Sequence, residues 1–131
     1  MIFLDTSAIC ALASRWDEQH REAKRIMAKA LDKGEEFLTH DYVIVESAAL
    51  IQNRLGFDAA ERFLREITRL HIVWIDATLH SEAYGYFLQH GRRNLSFVDC
   101  ASFTVMEREN VSYAFAFDPD FIEAGFKLYT L

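Results

Sequence analysis

The chain of 131 residues predicts an α/β fold with a mostly parallel central sheet. Three observations predict it. Short apolar runs alternate with segments of helical periodicity along the whole sequence, the pattern of repeated strand–helix units. One run, Tyr113–Phe117, is apolar with no polar alternation, as a central parallel strand covered on both faces requires. Two acids, Asp5 and Asp118, each directly follow a predicted strand, at the carboxyl ends where open parallel sheets collect their ligands.

The elements follow in order. Ile2–Leu4 is a short buried strand ending at Asp5. Asp17 to Lys33 is predicted helical, because Ala23, Ile26, Met27, Ala30 and Leu31 recur at helical spacing and Gly34 follows as a stop. Phe37–Thr39 is a second strand. Tyr42 to Leu55 is a helix apolar nearly all round, expected to be largely buried, and Gly56 ends it. Asp58 opens the next helix, with Glu61 three residues on as in a capping box and Ala60, Phe63, Leu64, Ile67 and Leu70 as its apolar face. Ile72–Ile75 is the third strand. A helix from about Thr78 to Gln89 is closed by Gly91, and a basic loop carrying Arg92 and Arg93 follows. Ser96 caps a helix running to about Glu109. Beyond the Tyr113–Phe117 strand, Pro119 starts a short helical turn, Gly125 ends it, and Phe126–Tyr129 is the last strand.

Composition narrows the class. A hydrophobic content of 51%, aromatics at 14%, a single Pro and five Gly describe one compact domain over residues 1–131, with no linker or repeat. No apolar run reaches the length of a membrane span, and the start lacks the basic and small-residue signals of a secretory leader, so the expected compartment is the cytoplasm. Cys10 and Cys100 lie in apolar stretches and are expected as buried thiols, and the five scattered His residues give no zinc spacing. The net charge of −6 speaks against a nucleic-acid binder unless the acids are gathered in a metal site, where bound cations reverse the local field.

Each candidate acid has a structural reading beside the chemical one. Asp5 can cap the helix after its strand, although Thr6 and Ser7 could do so as well. Glu46 lies in an apolar helix, where a carboxylate needs a partner, a metal or a raised pKa; alternatively it faces solvent on a narrow polar edge with Gln52 and Asn53. Asp99 completes a Ser-x-x-Asp capping arrangement with Ser96. Asp118 precedes Pro119 and can cap the turn, and Asp120 is a further acid two residues on. As a set they favour chemistry. Carboxylates converging from strand ends and first helical turns repel one another unless a cation intervenes, and an all-oxygen donor set selects Mg²⁺ or Mn²⁺.

Leu-Asp-Thr-Ser near the start, a Glu in a buried helix, Ser-Phe-Val-Asp-Cys-Ala, and Phe-Asp-Pro-Asp-Phe with Gly125 downstream together resemble the PIN domain. Length and order resemble its VapC-like toxins over nearly the whole chain. The resemblance implies a three-layer Rossmann-like sandwich with a five-stranded parallel sheet. It implies a catalytic set of Asp5, Glu46, Asp99 and Asp118, with Asp5, Asp99 and Asp118 on the metal and Thr6, Ser7 and Asp120 as accessory residues. It further implies Mg²⁺- or Mn²⁺-dependent cleavage of single-stranded or loop RNA leaving a 5′-phosphate, a homodimer, and inhibition by a cognate antitoxin. Arg92 and Arg93 are candidate RNA contacts. Cys100 stands where the family more often has Ala.

Other readings fit less well. A haloacid-dehalogenase-like phosphatase needs a second Asp two residues after the first, and Ser7 stands there. A receiver domain needs an acidic pair at the first acidic strand end and a late Lys at a strand end, and neither is present. A P-loop enzyme needs a glycine-rich phosphate loop that is missing. A catalytically inactive PIN fold serving as an RNA-binding or scaffold module is the remaining alternative, and retention of all four acids favours catalysis.

Overall fold

The computed structural model describes residues 1–130. Five strands, β1 (Ile2–Leu4), β2 (Phe37–His40), β3 (His71–Val73), β4 (Tyr113–Phe115) and β5 (Lys127–Leu128), form one sheet in the order β3-β2-β1-β4-β5. Every pairing is parallel. Seven helices connect them among the described residues: α1 (Thr6–Ala13), α2 (His20–Asp32), α3 (Asp41–Leu55), α4 (Phe57–Ile67), α5 (Ala77–His90), α6 (Phe97–Arg108) and α7 (Asp120–Glu123). All three residues of β1 are buried. Successive strand residues point to opposite faces, so the sheet is covered on both sides. The α/β sandwich predicted from the alternation is therefore the fold observed.

The core gathers Phe3, Leu38, Met106, Phe115 and Phe121 with Ile26, Val43 and Leu79, all nearly inaccessible. Cys10 and Cys100 are buried free thiols, as expected. Among the described residues no helix is long and apolar enough to cross a membrane.

Departures from the predicted elements have local causes. The sequence points to helix α1 only through the capping reading of Asp5 and sets no bounds for it. The helix is short and apolar, so its sequence carries little helical amphipathicity. Helix α2 begins at His20, not Asp17, because the Asp17 carboxylate accepts from Gln19 N at 2.8 Å and the chain turns there first. The Asp58–Glu61 capping box does not form. Helix α4 starts at Phe57 behind Gly56, whose φ of 96° redirects the chain between α3 and α4, and Glu61 pairs instead with Arg65. The cap of α5 is Asp76, whose carboxylate accepts from Leu79 N. Gly91 closes α5 as predicted: a Cβ there would stand 2.5 Å from the Phe87 carbonyl oxygen. Helix α3 is less buried than its composition suggested, with Val45 68% exposed and Glu46 half-buried. Strand β3 lies slightly earlier than expected, and β4 stops at Phe115. Beyond it the backbone is claimed by a side chain, since Phe117 N donates to Ser7 Oγ instead of to a neighbouring strand.

The strand order reverses direction at β1, with β2 and β3 on one side and β4 and β5 on the other. The carboxyl ends of β1 and β4 therefore flank the crevice that such a reversal opens. Asp5 follows β1, and the segment carrying Asp118 follows β4.

Candidate active site

One open groove is lined by Asp5, Thr6, Ser7, Glu46, Asp99 and Asp118. Four acids that are up to 113 positions apart in the sequence thus meet at the switch point of the sheet. Local hydrogen bonds hold three of them there, and the packing of α3 places the fourth.

Asp5 is 4% exposed and N-caps α1: its Oδ2 accepts from Ser7 N at 3.1 Å and from Ser7 Oγ at 2.6 Å. The same Ser7 hydroxyl accepts from Phe117 N at 2.9 Å, so one side chain ties the loop after β1 to the loop after β4. Asp99 is the N3 residue of a complete capping box. Its Oδ2 accepts from Ser96 N, and Asp99 N donates to Ser96 Oγ, both at 3.1 Å. Asp118 Oδ1 accepts from Asp120 N at 2.9 Å and shapes the turn into α7. Pro119 occupies the helix boundary that Asp118 was expected to hold. Glu46 faces the groove from the middle of α3.

Asp99, Asp118 and Asp120 each offer a carboxylate oxygen within 4.8 Å of the other two. Asp120 thus joins two of the acids expected on the metal, and the third, Asp5, lines the groove with Asp99 and Asp118. The donors are all oxygen, which suits a hard divalent cation. Burial and mutual charge raise the pKa values of Asp5, Asp99 and Asp118. Burial pushes Asp5 up to about 6, against the hydrogen bonds from Ser7 and with help from the Asp99 charge. Asp99 is raised by burial and by the Asp118 and Glu46 charges, and Asp118 by burial and by Asp120. A cation would relieve all three. The Thr6 hydroxyl in the groove wall is buried with no hydrogen-bond partner among the described residues. That is a group a bound ligand or its water shell could satisfy.

Arg92 is committed within the fold. It pairs with Asp120 at 2.5 Å and with Glu123 at 3.3 Å, and neither it nor Arg93 lines the groove. Arg93 is exposed on the same loop. The groove also contains residues the sequence reading passed over: Asp17 and Gln19 from the turn before α2, Ser96, and Arg54 two helical turns beyond Glu46 on α3. Arg54 was discoverable, since positions 46, 50 and 54 share one helix face. Asp17 and Gln19 carried no such signal, because a turn has no period.

Another buried polar arrangement joins the elements that carry Glu46 and Asp99. His40, fully buried at the end of β2, caps α3 by accepting from Val43 N at 3.3 Å through Nδ1. That fixes the proton on Nε2, which donates to Ser102 Oγ at 2.9 Å, and Ser102 Oγ in turn donates to Val98 O at 3.0 Å. The chain of bonds joins α3, which carries Glu46, to α6, which carries Asp99. Burial holds the His40 imidazole down to about 3, so it is neutral.

Comparison with known proteins agrees with this geometry. The family model described as the PIN domain matches residues 2–127. Over 128 residues the chain is 37% identical to proteins named 23S rRNA-specific endonuclease VapC20 from two strains of Mycobacterium tuberculosis, covering 96% of this chain and 95% of the relative. The crystal structure of Mycobacterium tuberculosis VapC20, described as a sarcin-ricin loop cleaving toxin, superposes with a TM-score of 0.87 at 34% identity over 96% of each chain. The crystal structure of FitAcB from Neisseria gonorrhoeae shares the fold, with a TM-score of 0.70 at 16% identity over 99% of this chain and 97% of that one. An acidic groove at the switch point of a five-stranded parallel sheet, and relatedness along nearly the whole sequence, lead to one assignment: the chain belongs to the PIN-domain family.

Proposed function

We propose that this protein is a metal-dependent endoribonuclease of the VapC toxin type, acting in the cytoplasm on the sarcin–ricin loop of 23S rRNA. The observation that carries the catalytic part is that Asp5, Glu46, Asp99 and Asp118 line one open groove, and that Asp99 and Asp118 meet Asp120 within 4.8 Å. The RNA target is inferred from the relatives, which cover nearly the whole chain.

In this reading Asp99, Asp118 and Asp120 hold Mg²⁺ or Mn²⁺. When bound, the ion supplies charge neutralisation at the scissile phosphate and lowers the pKa of water near it. The chain's own residues do the rest. Ser7 fixes the Asp5 carboxylate and the Phe117 backbone in one frame, so the acids of β1 and of the β4 loop keep their spacing. Asp5, buried at the end of β1 and held by Ser7, adds negative charge that a cation in the groove would balance. Glu46 completes the catalytic set from α3, and Arg92 orients Asp120 through their ion pair. Thr6 is an accessory donor to a ligand in the groove. Arg93, exposed beside Arg92, is the loop's phosphate contact.

A homodimer and a cognate antitoxin complete the proposal. Exposed apolar side chains on α3, α4 and α5, among them Val45, Phe57 and Leu88 at 66–70% exposure, support self-association. An apolar groove lined by Leu12, Ile51, Phe63 and Leu70 shares α1 and α3 with the acidic groove, and supports a partner segment that covers both. Incubating ribosomal RNA with purified protein and Mn²⁺, then mapping new 5′ ends, tests the reading. Cuts confined to the sarcin–ricin loop and abolished by chelator are expected. Intact RNA in the presence of the metal would overturn it.

A further inference from the structure

A strand of RNA entering the acidic groove meets Asp5, Asp17, Glu46, Asp99 and Asp118 along its walls. A divalent cation can neutralise the scissile phosphate, but the neighbouring phosphates still face carboxylates. Some fixed positive charge has to offset that repulsion. Arg92 is already held by Asp120 and Glu123. The one basic side chain among the residues lining the groove is Arg54.

Arg54 is well placed for this task. It sits in the last turn of α3, eight residues after Glu46 and on the same helix face, which puts it ~12 Å along the helix axis from that catalytic wall. It is exposed, and no ion pair engages it among the described residues. It lines the groove together with Cys10 of α1. Leu50, one turn back toward Glu46, gives the intervening wall an apolar surface. Gln19, a neutral donor and acceptor on the turn before α2, also lines the groove.

We infer that Arg54 is a substrate-positioning residue, binding a phosphate that neighbours the scissile one and so setting which phosphodiester of a bound RNA strand lies over the acidic cluster. The inference rests on the nuclease reading above and deepens it. The planar guanidinium can take two phosphate oxygens at once, which fixes orientation as well as charge; a lysine would keep only the charge. The competing account makes Arg54 a favourable cation at the carboxyl end of the α3 dipole. That account predicts a change in stability and none in RNA binding.

The test separates the two, and separates both from the nuclease reading. Binding of a short fluorescein-labelled single-stranded RNA is measured in an Asp99→Asn background, so that cleavage plays no part, across a range of salt. Adding Arg54→Gln is expected to weaken binding about tenfold, the size of one charge-assisted contact. It should also flatten the dependence of log K on log salt by about 0.7, the release of one counterion from a single strand. Arg54→Lys should keep the slope and lose part of the affinity. Arg65→Ala, which removes an equal charge from α4, should change neither. With cleavage-competent protein and a sarcin–ricin hairpin, Arg54→Gln should raise KM far more than it lowers kcat and spread the cuts over adjacent bonds. Unchanged affinity and slope in Arg54→Gln, with only the melting temperature altered, overturn the assignment and leave the nuclease reading standing. A wild-type protein that binds RNA through Arg54 but never cuts it overturns the nuclease reading alone.

Discussion

The buried carboxylate of Asp5 should make metal-free protein less stable at neutral pH than its Asp5→Asn variant. Burial raises the folded-state pKa to about 6 from an ordinary 3.8. A raised pKa means that stability from this group is fully present below the unfolded value and is lost as pH rises through the folded value. Keeping the buried carboxylate ionised costs about 3 kcal/mol at pH 7 and about half of that at pH 5. Asn keeps the geometry, since its side-chain oxygen can accept from Ser7 N and Ser7 Oγ as Asp5 does, and Asn caps helices as well as Asp. Its amide protons need acceptors in a buried place, which reduces the net gain to about 1–3 kcal/mol, or about 3–9 °C in melting temperature. Nuclease activity should vanish in the same variant.

The pH dependence of wild type alone would mislead, because His40 works in the opposite direction. Its folded pKa of about 3 lies below the ordinary 6.5. Stability from the neutral, bonded imidazole is therefore present above 6.5 and lost as pH falls, by about 2 kcal/mol at pH 5. That loss exceeds what Asp5 regains over the same interval. Subtracting the Asp5→Asn curve from the wild-type curve removes the His40 contribution, which both proteins share. The assay is urea unfolding of both proteins with chelator at a series of pH values from 5 to 8. The difference should favour the variant at pH 7 and above, and shrink steadily toward pH 5. A variant less stable than wild type across that whole range would show that Asp5 is an ordinary capping acid with no ionisation penalty, and the physical case for a cation beside it would fail.

Further outcomes follow from the same geometry. Saturating Mn²⁺ at about a hundred times its Kd should stabilise wild type by about 2.7 kcal/mol, and Asp99→Asn or Asp118→Asn should lose most of that shift in a thermal melt. Asp120→Asn should reduce metal affinity and free Arg92, leaving partial activity in a cleavage assay, whereas loss of Asp99 or Asp118 should abolish cutting. Ser102→Ala should cost about 1–3 kcal/mol in urea unfolding by leaving the His40 Nε2 proton unpaired in the core. Light scattering at micromolar concentration should return the mass of a dimer, and a monomer would remove self-association from the proposal.

The fold was legible because its strongest signals are periodic or apolar over long stretches. The β1 run, the striped faces of α2 and α4, and the stop at Gly91 all follow from rules that act within a few residues. What stayed hidden acts over tertiary distance or in very short pieces. Nothing local says that Phe117 N will choose the Ser7 hydroxyl and end β4 early, for the two are 110 residues apart. The cap at Asp76 and the failure of the Asp58–Glu61 box show the same limit at α5 and α4. Two sequences offered capping chemistry, and the backbone angle at Gly56 decided one of them against the side chain.

The site poses a different lesson, because for two of its acids the sequence framed cap and ligand as competing roles and the structure joins them. Asp5 caps α1 through Oδ2, and Asp99 completes the α6 capping box through Oδ2. A carboxylate has two oxygens and about four lone-pair sites. One oxygen bound to backbone N–H groups at a helix start fixes the rotamer, and leaves the other oxygen in a set direction at the mouth of the sheet. Capping is thus the means of orientation, and a helix N-terminus also helps hold the negative charge that crowding and burial oppose. Glu46 has no such anchor. It stands mid-helix on α3, half-buried, with no hydrogen bond to it among the described residues. Its place depends on how α3 packs against α6, which the buried His40–Ser102 bond fixes. A sequence reader sees the caps as motifs and cannot see that bridge, although the bridge holds the fourth acid in register with the other three.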